Sequence, residues 1–160
     1  MQKKIEFEYD LLADATELSA ADQQLLTAAK EATKTAYAPY SNFFVGAAAR
    51  LSNGSIQIGS NQESSSFPVG ICAERTLLNS VGSQFPELYI VTMAVSYQPF
   101  NKDSNAPISP CGMCRQSLLD YENRYGTPIK IILAGMTGEV MVIQSAANWL
   151  PFGFDGSILK

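Results

Sequence analysis

The chain has 160 residues, of which 46% are hydrophobic and 16% charged, so it holds enough apolar material for one compact core. Its formal net charge is −4 and its eleven basic residues are scattered, which argues against a nucleic-acid partner. No apolar run approaches the roughly 18 residues of a membrane span and the amino terminus does not resemble a secretory signal, so we expect a cytoplasmic protein without a membrane partner.

The first part of the chain predicts an arm followed by a helix. Residues 1–15 show no firm periodicity and are assigned to an amino-terminal arm, and residues 16–160 to a single domain. Ser19 is a suitable N-cap, and apolar residues recur after it at helical spacing. We therefore expect a helix over 19–37, which cannot continue through Pro39.

The rest of the chain alternates between strand and helix patterns. The apolar run 43–51, the Asn53-Gly54 turn and the alternating residues 56–58 predict a β-hairpin. Further helices are expected at 72–79 and 111–125, and further strands at 89–96, 129–134 and 139–143. This order predicts a three-layer α/β/α fold with a mixed central sheet of about five strands.

The three cysteines, Cys72, Cys111 and Cys114, are the most informative residues of the chain. An odd number of cysteines without an export signal is typical of reduced thiols rather than of a disulfide framework. The chain contains no histidine, which excludes Ser-His-Asp and Cys-His catalysis. Any chemistry must therefore use thiolates and carboxylates.

The spacing of these cysteines predicts a catalytic zinc site. Cys111 and Cys114 can hold one metal ion from the first turn of a helix, and Cys72 adds a third ligand from another helix start. Three protein ligands leave the fourth position of Zn²⁺ for water, whereas closed structural sites use four. Glu74 lies two residues from Cys72, where it can shuttle protons without being a ligand.

The predicted site carries an excess of negative charge. Three thiolates against one divalent cation would weaken the acidity of a bound water unless other groups compensate. The amino termini of the two helices and the cation Arg75 are available for this compensation.

Five motifs in register resemble those of the small homotetrameric cytidine deaminases. Cys72-Ala73-Glu74 with Pro110-Cys111-x-x-Cys114 is similar to the zinc deaminase signature, in the variant with Cys in place of His. The resemblance covers roughly residues 19–156. The other matching segments are Tyr40-Ser41-Asn42-Phe43-Phe44-Val45-Gly46-Ala47-Ala48, Asn61-Gln62-Glu63, Arg75-Thr76, Arg115-Gln116 and Leu150-Pro151-Phe152-Gly153-Phe154.

The resemblance implies a role for several residues in binding a nucleoside. Asn61 and Glu63 would bond the ribose 3′-hydroxyl, Phe43 would pack against the pyrimidine, and the backbone amide of Ala73 would hold the ring carbonyl. Phe154 would close over the substrate of an adjacent subunit in a homotetramer.

The resemblance also implies the reaction. The chain would bind one Zn²⁺ and hydrolyse cytidine and deoxycytidine to uridine and deoxyuridine plus ammonia, in pyrimidine salvage. Glu74 would protonate ring nitrogen 3 while an activated water attacks carbon 4, and would then pass a proton to the departing amine.

Several alternatives stay open at the level of sequence. The substrate could be guanine, dCMP or a blasticidin-like compound, or the chain could be an inactive zinc-binding paralogue. Phe43, Asn61, Glu63 and Arg75 also fit ordinary core, loop and helix positions, and Phe154 fits a terminal anchor. The chain has Phe67 where the family usually has tyrosine, which removes a hydroxyl but keeps an aromatic surface.

Overall fold

A six-stranded mixed sheet forms the centre of the protein in the computed structural model, which describes residues 1–156 and 159. The strands in chain order are β1 (Asp10–Leu12), β2 (Phe43–Leu51), β3 (Ile56–Ser60), β4 (Ile90–Pro99), β5 (Lys130–Ala134) and β6 (Val140–Ile143). Their order across the sheet is β1-β6-β5-β4-β2-β3. The β4–β5 pair is parallel, and the other neighbouring pairs are antiparallel.

The sheet has one strand more than the roughly five expected, because part of the amino-terminal arm joins it. Asp10 pairs with Val142 and Leu12 with Val140, so β1 lies antiparallel to β6 at one edge. A strand of three residues is too short to show a period of two in the sequence. The division into an arm at 1–15 and a domain at 16–160 stays a prediction.

Three helices flank the sheet: α1 (Ala20–Ala32), α2 (Ala73–Gln84) and α3 (Gly112–Tyr125). Ser19 caps α1 as expected, with its hydroxyl accepting from the Asp22 amide at 3.2 Å. The α-helix ends five residues earlier than predicted, and a 3₁₀ turn (Thr33–Thr35) follows it. Both threonine hydroxyls donate to the carbonyl three residues back, a local bond that favours the tighter turn. No helix in the described part of the chain is long and apolar enough to cross a membrane.

The two faces of the sheet bury separate apolar clusters, which confirms the three-layer α/β/α fold. Successive strand residues point to opposite faces. Ala48 and Ala94 therefore pack in the cluster that contains Leu25 of α1, whereas Ala47 and Met93 pack in the cluster under α2 and α3.

Gly59 of β3 allows α2 to lie directly on the sheet. A Cβ at this position would lie 2.8 Å from the carbonyl oxygen of Ala73 and 2.7 Å from the backbone nitrogen of Leu77. Such distances exclude any larger residue unless the backbone moves. The close contact sets the first turn of α2 beside the end of β3, where the predicted site residues of both elements meet.

Candidate active site and metal centre

The amino termini of α2 and α3 bring the three cysteines together. Cys72 is the N-cap of α2, Cys111 is the N-cap of α3, and Cys114 lies in the first turn of α3. The Sγ atoms of Cys72 and Cys111 are 3.8 Å apart, and those of Cys111 and Cys114 are 3.4 Å apart. All three Sγ atoms lie within 4.8 Å of one another.

This cluster fits one zinc ion. Tetrahedral Zn²⁺ with Zn–S bonds of about 2.3 Å places its sulfur ligands roughly 3.8 Å apart, close to the spacing of these thiols. Within the residues that the structure describes, the cluster has three members and no fourth His, Cys, Asp or Glu. The donor set is therefore that of an open zinc site, with one position left for water or substrate.

The thiols differ in acidity before a metal binds. The pKa of Cys72 is lowered to about 6, first because the Cys114 thiol donates to it; burial and Glu74 oppose the shift, while Cys111 and the charge of Arg75 support it. The pKa of Cys114 is raised, because its thiol is the donor to Cys72 and because it is buried. Cys72 is thus the thiol poised to ionise.

Two groups that could offset the negative charge of the thiolates lie near the cysteine cluster. The Cys111 sulfur accepts a hydrogen bond from the backbone amide of Cys114 at 3.4 Å, at the positive end of the α3 dipole. Arg75 extends from α2 toward the first turn of α3, where its guanidinium lies 3.9 Å from the Met113 sulfur. Its proposed role in charge compensation stays a prediction.

Glu74 is a buried carboxyl group in the first turn of α2, with 5% of its surface exposed. Burial raises its pKa, while hydrogen bonds from its own backbone amide and from the Cys114 thiol act in the opposite direction. A raised pKa brings a carboxyl group closer to the range in which it can both accept and donate a proton during a reaction. Its position beside the thiols is suited to that chemistry.

A cavity of about 400 Å³ opens onto the thiols and Glu74. Its volume lies in the range of small-molecule sites. Seven of the ten site residues predicted from the sequence line it, namely Phe43, Asn61, Glu63, Cys72, Ala73, Glu74 and Cys111.

Asn61 joins the end of β3 to the start of β2. Its side-chain oxygen accepts from the Val45 amide at 2.8 Å, and its side-chain nitrogen donates to the Phe43 carbonyl at 2.9 Å. An amide side chain has two donor hydrogens and two acceptor lone pairs, so one of each remains for a ligand. Asn61 therefore positions Phe43 as well as facing the cavity.

Glu63 is held by the loop that precedes β2. Its carboxylate accepts from the backbone amides of Tyr40 and Ser41 at 2.9 and 3.2 Å, and also from the Ser41 hydroxyl. The Ser41 hydroxyl is the main reason that the pKa of Glu63 is lowered. Glu63 therefore stays ionised near neutral pH and is suited to accept hydrogen bonds from hydroxyl groups.

The aromatic residues named by the sequence lie in three different surroundings. Phe43 is half-buried and stacks on Tyr97, with ring centroids 5.2 Å apart. Phe67 is 74% exposed and meets Tyr40 edge to face at 5.6 Å. Phe154 is 58% exposed and does not line the cavity of its own chain.

Other cavity residues were assigned no role from the sequence, although Ser41 lies in one of the segments that resemble the family. Ser41 acts through Glu63, a contact between residues 22 positions apart. Ile108 and Ser109 also line the cavity. They belong to the loop that leads through Pro110 to Cys111 at the start of α3. A loop without periodicity does not reveal which of its side chains face a ligand.

A protein-family model matches residues 19–125 of the chain, and its description is the cytidine and deoxycytidylate deaminase zinc-binding region. This segment contains the predicted site residues other than Phe154.

Individual proteins show the same likeness. The chain is 33% identical over 132 residues to a cytidine deaminase of Halalkalibacterium halodurans, an alignment that covers 82% of this chain and 92% of that protein. The crystal structure of a cytidine deaminase from Burkholderia pseudomallei has a TM-score of 0.70 and 38% identity, covering 82% of this chain and 97% of that one. A cytidine deaminase structure from Mycobacterium tuberculosis has a TM-score of 0.65 and 26% identity, covering 85% and 98% of the respective chains.

Proposed function

The chain belongs to the cytidine and deoxycytidylate deaminase family, and we propose from this premise that it hydrolyses cytidine and deoxycytidine to the uracil nucleosides and ammonia. The observation that carries the proposal is the convergence of three thiols, two of which line one cavity together with the buried Glu74. A site with three protein ligands leaves a position for the reacting water.

Glu74 carries the proton transfers of the proposed mechanism. Cys72, Cys111 and Cys114 would hold Zn²⁺, which would supply Lewis-acid polarisation of the reacting water. As the water oxygen bonds to carbon 4, the Glu74 carboxylate accepts one proton from that water. Glu74 then gives this proton to ring nitrogen 3. It then takes the second proton of the water oxygen to the exocyclic amine, which leaves as ammonia.

The remaining site residues orient the nucleoside. The backbone amide of Ala73, at the start of α2, is proposed to donate to the ring carbonyl, and Phe43 to pack on the pyrimidine. Asn61 and Glu63 are proposed to bond the ribose hydroxyl, which their free donor and acceptor sites support.

We also propose that the enzyme is a homotetramer in which Phe154 reaches a neighbouring subunit. The exposed rings of Phe152 and Phe154 support this, because neighbouring exposed aromatic side chains often mark a surface that another protein covers. Closed symmetric assemblies would cover such surfaces. Light scattering is expected to give about four times the chain mass of 17.3 kDa.

The proposed cellular setting follows from the ligands and the product. Zinc-binding thiolates must stay reduced, which supports a cytoplasmic location, since that compartment keeps thiols reduced. Release of a uracil nucleoside supports a role in pyrimidine salvage.

A substrate panel tests the proposed activity. Purified enzyme is incubated with cytidine, deoxycytidine, free cytosine, dCMP, guanine and blasticidin S, and ammonia release is followed. We expect kcat/KM for cytidine to exceed that for cytosine by about 10⁴-fold, because a site built to bond a hydroxyl rejects an analogue without it. Comparable kcat/KM values for cytidine and cytosine would contradict the proposed ribose contacts. Turnover of guanine alone would contradict cytidine as the substrate.

A further inference from the structure

The helix that carries two of the proposed zinc ligands also has a polar contact that the proposed reaction does not use. Arg115 follows Cys114 directly and is half-buried. Its Nε donates to the carbonyl oxygen of Pro110 at 2.8 Å, and its Nη1 donates to the carbonyl oxygen of Trp149 at 3.4 Å. Pro110 directly precedes Cys111, so the Arg115 side chain contacts both the turn that carries this proposed zinc ligand and the segment that contains Trp149.

The carboxyl-terminal segment, defined here as residues 146–154, lies along one face of α3. The Gln116 side chain donates to the Phe154 carbonyl at 2.7 Å. A Cβ at Gly153 would lie 2.4 Å from a methyl group of Leu119, which shows how closely the segment approaches the helix. Contacts at 115, 116 and 119 fall on one side of an α-helix.

A buried carboxylate extends this contact by one more turn. Glu122 accepts from the backbone amides of Ala146 and Ala147 at 2.7 and 3.0 Å. The segment is therefore bonded to α3 along its length, and at the amino-terminal end of the helix the contact passes through Arg115 to the ligand turn.

We propose that Arg115 is a positioning residue that couples the turn Pro110–Cys111 to the carboxyl-terminal segment. This inference rests on the zinc site proposed above. The planar guanidinium donates in two fixed directions, which a lysine ammonium on a flexible stem does not reproduce. Zinc binding at Cys111 and order in residues 146–154 therefore stabilise each other, and such a coupling is reciprocal.

The coupling has a consequence for the proposed assembly. Phe154 belongs to the segment that Arg115 holds, and it is proposed to reach the nucleoside of a neighbouring subunit. Arg115 then connects the zinc turn of one subunit to the cavity of the next.

Four variants of the full chain separate coupling from general loosening. Arg115→Gln removes the guanidinium and its charge, and Arg115→Lys keeps the charge but not the two donors held in fixed directions. Gln116→Ala loosens the carboxyl-terminal segment without a contact to the turn. Arg124→Gln changes the same residue type on the same helix, where its guanidinium lies over the rings of Tyr121 and Tyr125.

The first measurement is the affinity for Zn²⁺ itself, by competition with a chromophoric chelator. Groups that orient metal ligands typically contribute 10- to 100-fold in metal affinity. We expect about a 10-fold loss for both Arg115 variants and values within about 2-fold of wild type for Arg124→Gln.

The second measurement is hydrogen–deuterium exchange of peptides within residues 146–154, with and without Zn²⁺. Light scattering checks that each variant has the same oligomeric state as the wild type. Zinc is expected to slow exchange several-fold in the wild type. Gln116→Ala should raise exchange and keep this zinc dependence, whereas both Arg115 variants should lose it.

If both Arg115 variants kept the zinc affinity and the zinc-dependent exchange of the wild type, the coupling would be overturned and the proposed function would stand. A wild-type protein that binds no Zn²⁺ would overturn the proposed function together with the coupling. The two failures are thereby distinguishable.

Discussion

Two buried acids, on opposite faces of the sheet, show how surroundings separate a structural carboxylate from a reactive one. Asp22 lies in the first turn of α1 and Glu74 in the first turn of α2, and they are 6% and 5% exposed. Each is within reach of the positive end of its helix. The exposed fraction of the residue and the helix position are therefore nearly the same for both.

Their partners differ. Asp22 accepts from Lys130 at 2.6 Å and from Arg50 at 2.8 Å. Burial acts to raise its pKa, but Lys130, Ser19 and Arg50 outweigh burial, so the pKa is lowered. Glu74 faces thiols and a cavity, and burial raises its pKa.

The comparison teaches that burial alone does not assign a role to an acid. Two cations hold Asp22 ionised, so it can stabilise the packing of α1 against β2 and β5 but cannot exchange protons near neutral pH. Glu74 has neither of those cations and borders space for a ligand, which leaves its proton available for transfer.

The largest expected effect comes from removing one of the three thiols beside Glu74. Cys72→Ala should lose zinc, and kcat should fall by at least about 10⁴-fold, because the metal contributes several kcal/mol to lowering the barrier. Zinc content and ammonia release measure both. Asp22→Asn is the control and should keep its zinc and its kcat; a Cys72→Ala protein with normal zinc and turnover would break the comparison.

Asp22→Asn should act on stability instead. It leaves the Arg50 and Lys130 charges without their carboxylate, so the free energy of unfolding should fall by about 2 kcal/mol. Urea titration measures it. Glu31→Gln on the same helix removes an exposed pair with Lys34 and should change stability by less than about 0.5 kcal/mol.

The stability difference between wild type and Asp22→Asn should depend on pH in a stated direction. Because the pKa of Asp22 is lower in the folded state than in the unfolded state, its contribution is complete above the unfolded value of about 3.9. It should be lost as the pH falls below that value and through the folded pKa. A difference that instead grows on acidification would contradict the assignment of Asp22 as an ionised partner.

Two arginines allow a smaller test of the same contrast. Arg75→Gln removes a cation beside the thiolates, which should raise the pKa of the water that Zn²⁺ would bind. The acidic limb of the plot of kcat/KM against pH should therefore move up by about one pH unit, which corresponds to about 1.4 kcal/mol of lost electrostatic interaction. Arg50→Gln removes a cation beside Asp22 and should leave the profile unchanged. An unshifted profile in Arg75→Gln, measured at full zinc content, would make Arg75 an ordinary helix residue.

The smallest effect is expected at the end of the chain. Phe154→Ala should raise KM for cytidine several-fold with little change in kcat, because it removes apolar contact with bound substrate in the proposed tetramer. Phe100, an exposed phenylalanine outside the site cavity and the carboxyl-terminal segment, provides the matched control, and Phe100→Ala should keep the wild-type KM. Equal KM values for all three proteins would leave Phe154 as an anchor of its own subunit.

The sequence predicted what depends on local spacing. The Cys111-x-x-Cys114 pair and the adjacency of Cys72 and Glu74 are properties of single helix starts, and the structure brings them together. The long periodic segments also gave the helices and the β-hairpin, although Thr33–Thr35 tightened the end of α1.

What depends on distant pairing was not accessible in the same way. In the sequence Asp22 and Glu74 are both acids near a helix start, and the difference between them arises from Lys130, which lies 108 positions from Asp22. The two contacts of Arg115 likewise join segments that no period or motif relates. The short strand β1 was missed because three residues carry no pattern.

The most direct test of the proposed mechanism is the zinc content of Glu74→Gln measured together with its turnover of cytidine. The account predicts one zinc per chain, as in the wild type, with kcat reduced by about 10³-fold or more, because the proton carrier is lost while the three thiols remain. Loss of zinc along with activity would make Glu74 a ligand, and retained turnover would show that another group moves the protons; either result would contradict the account.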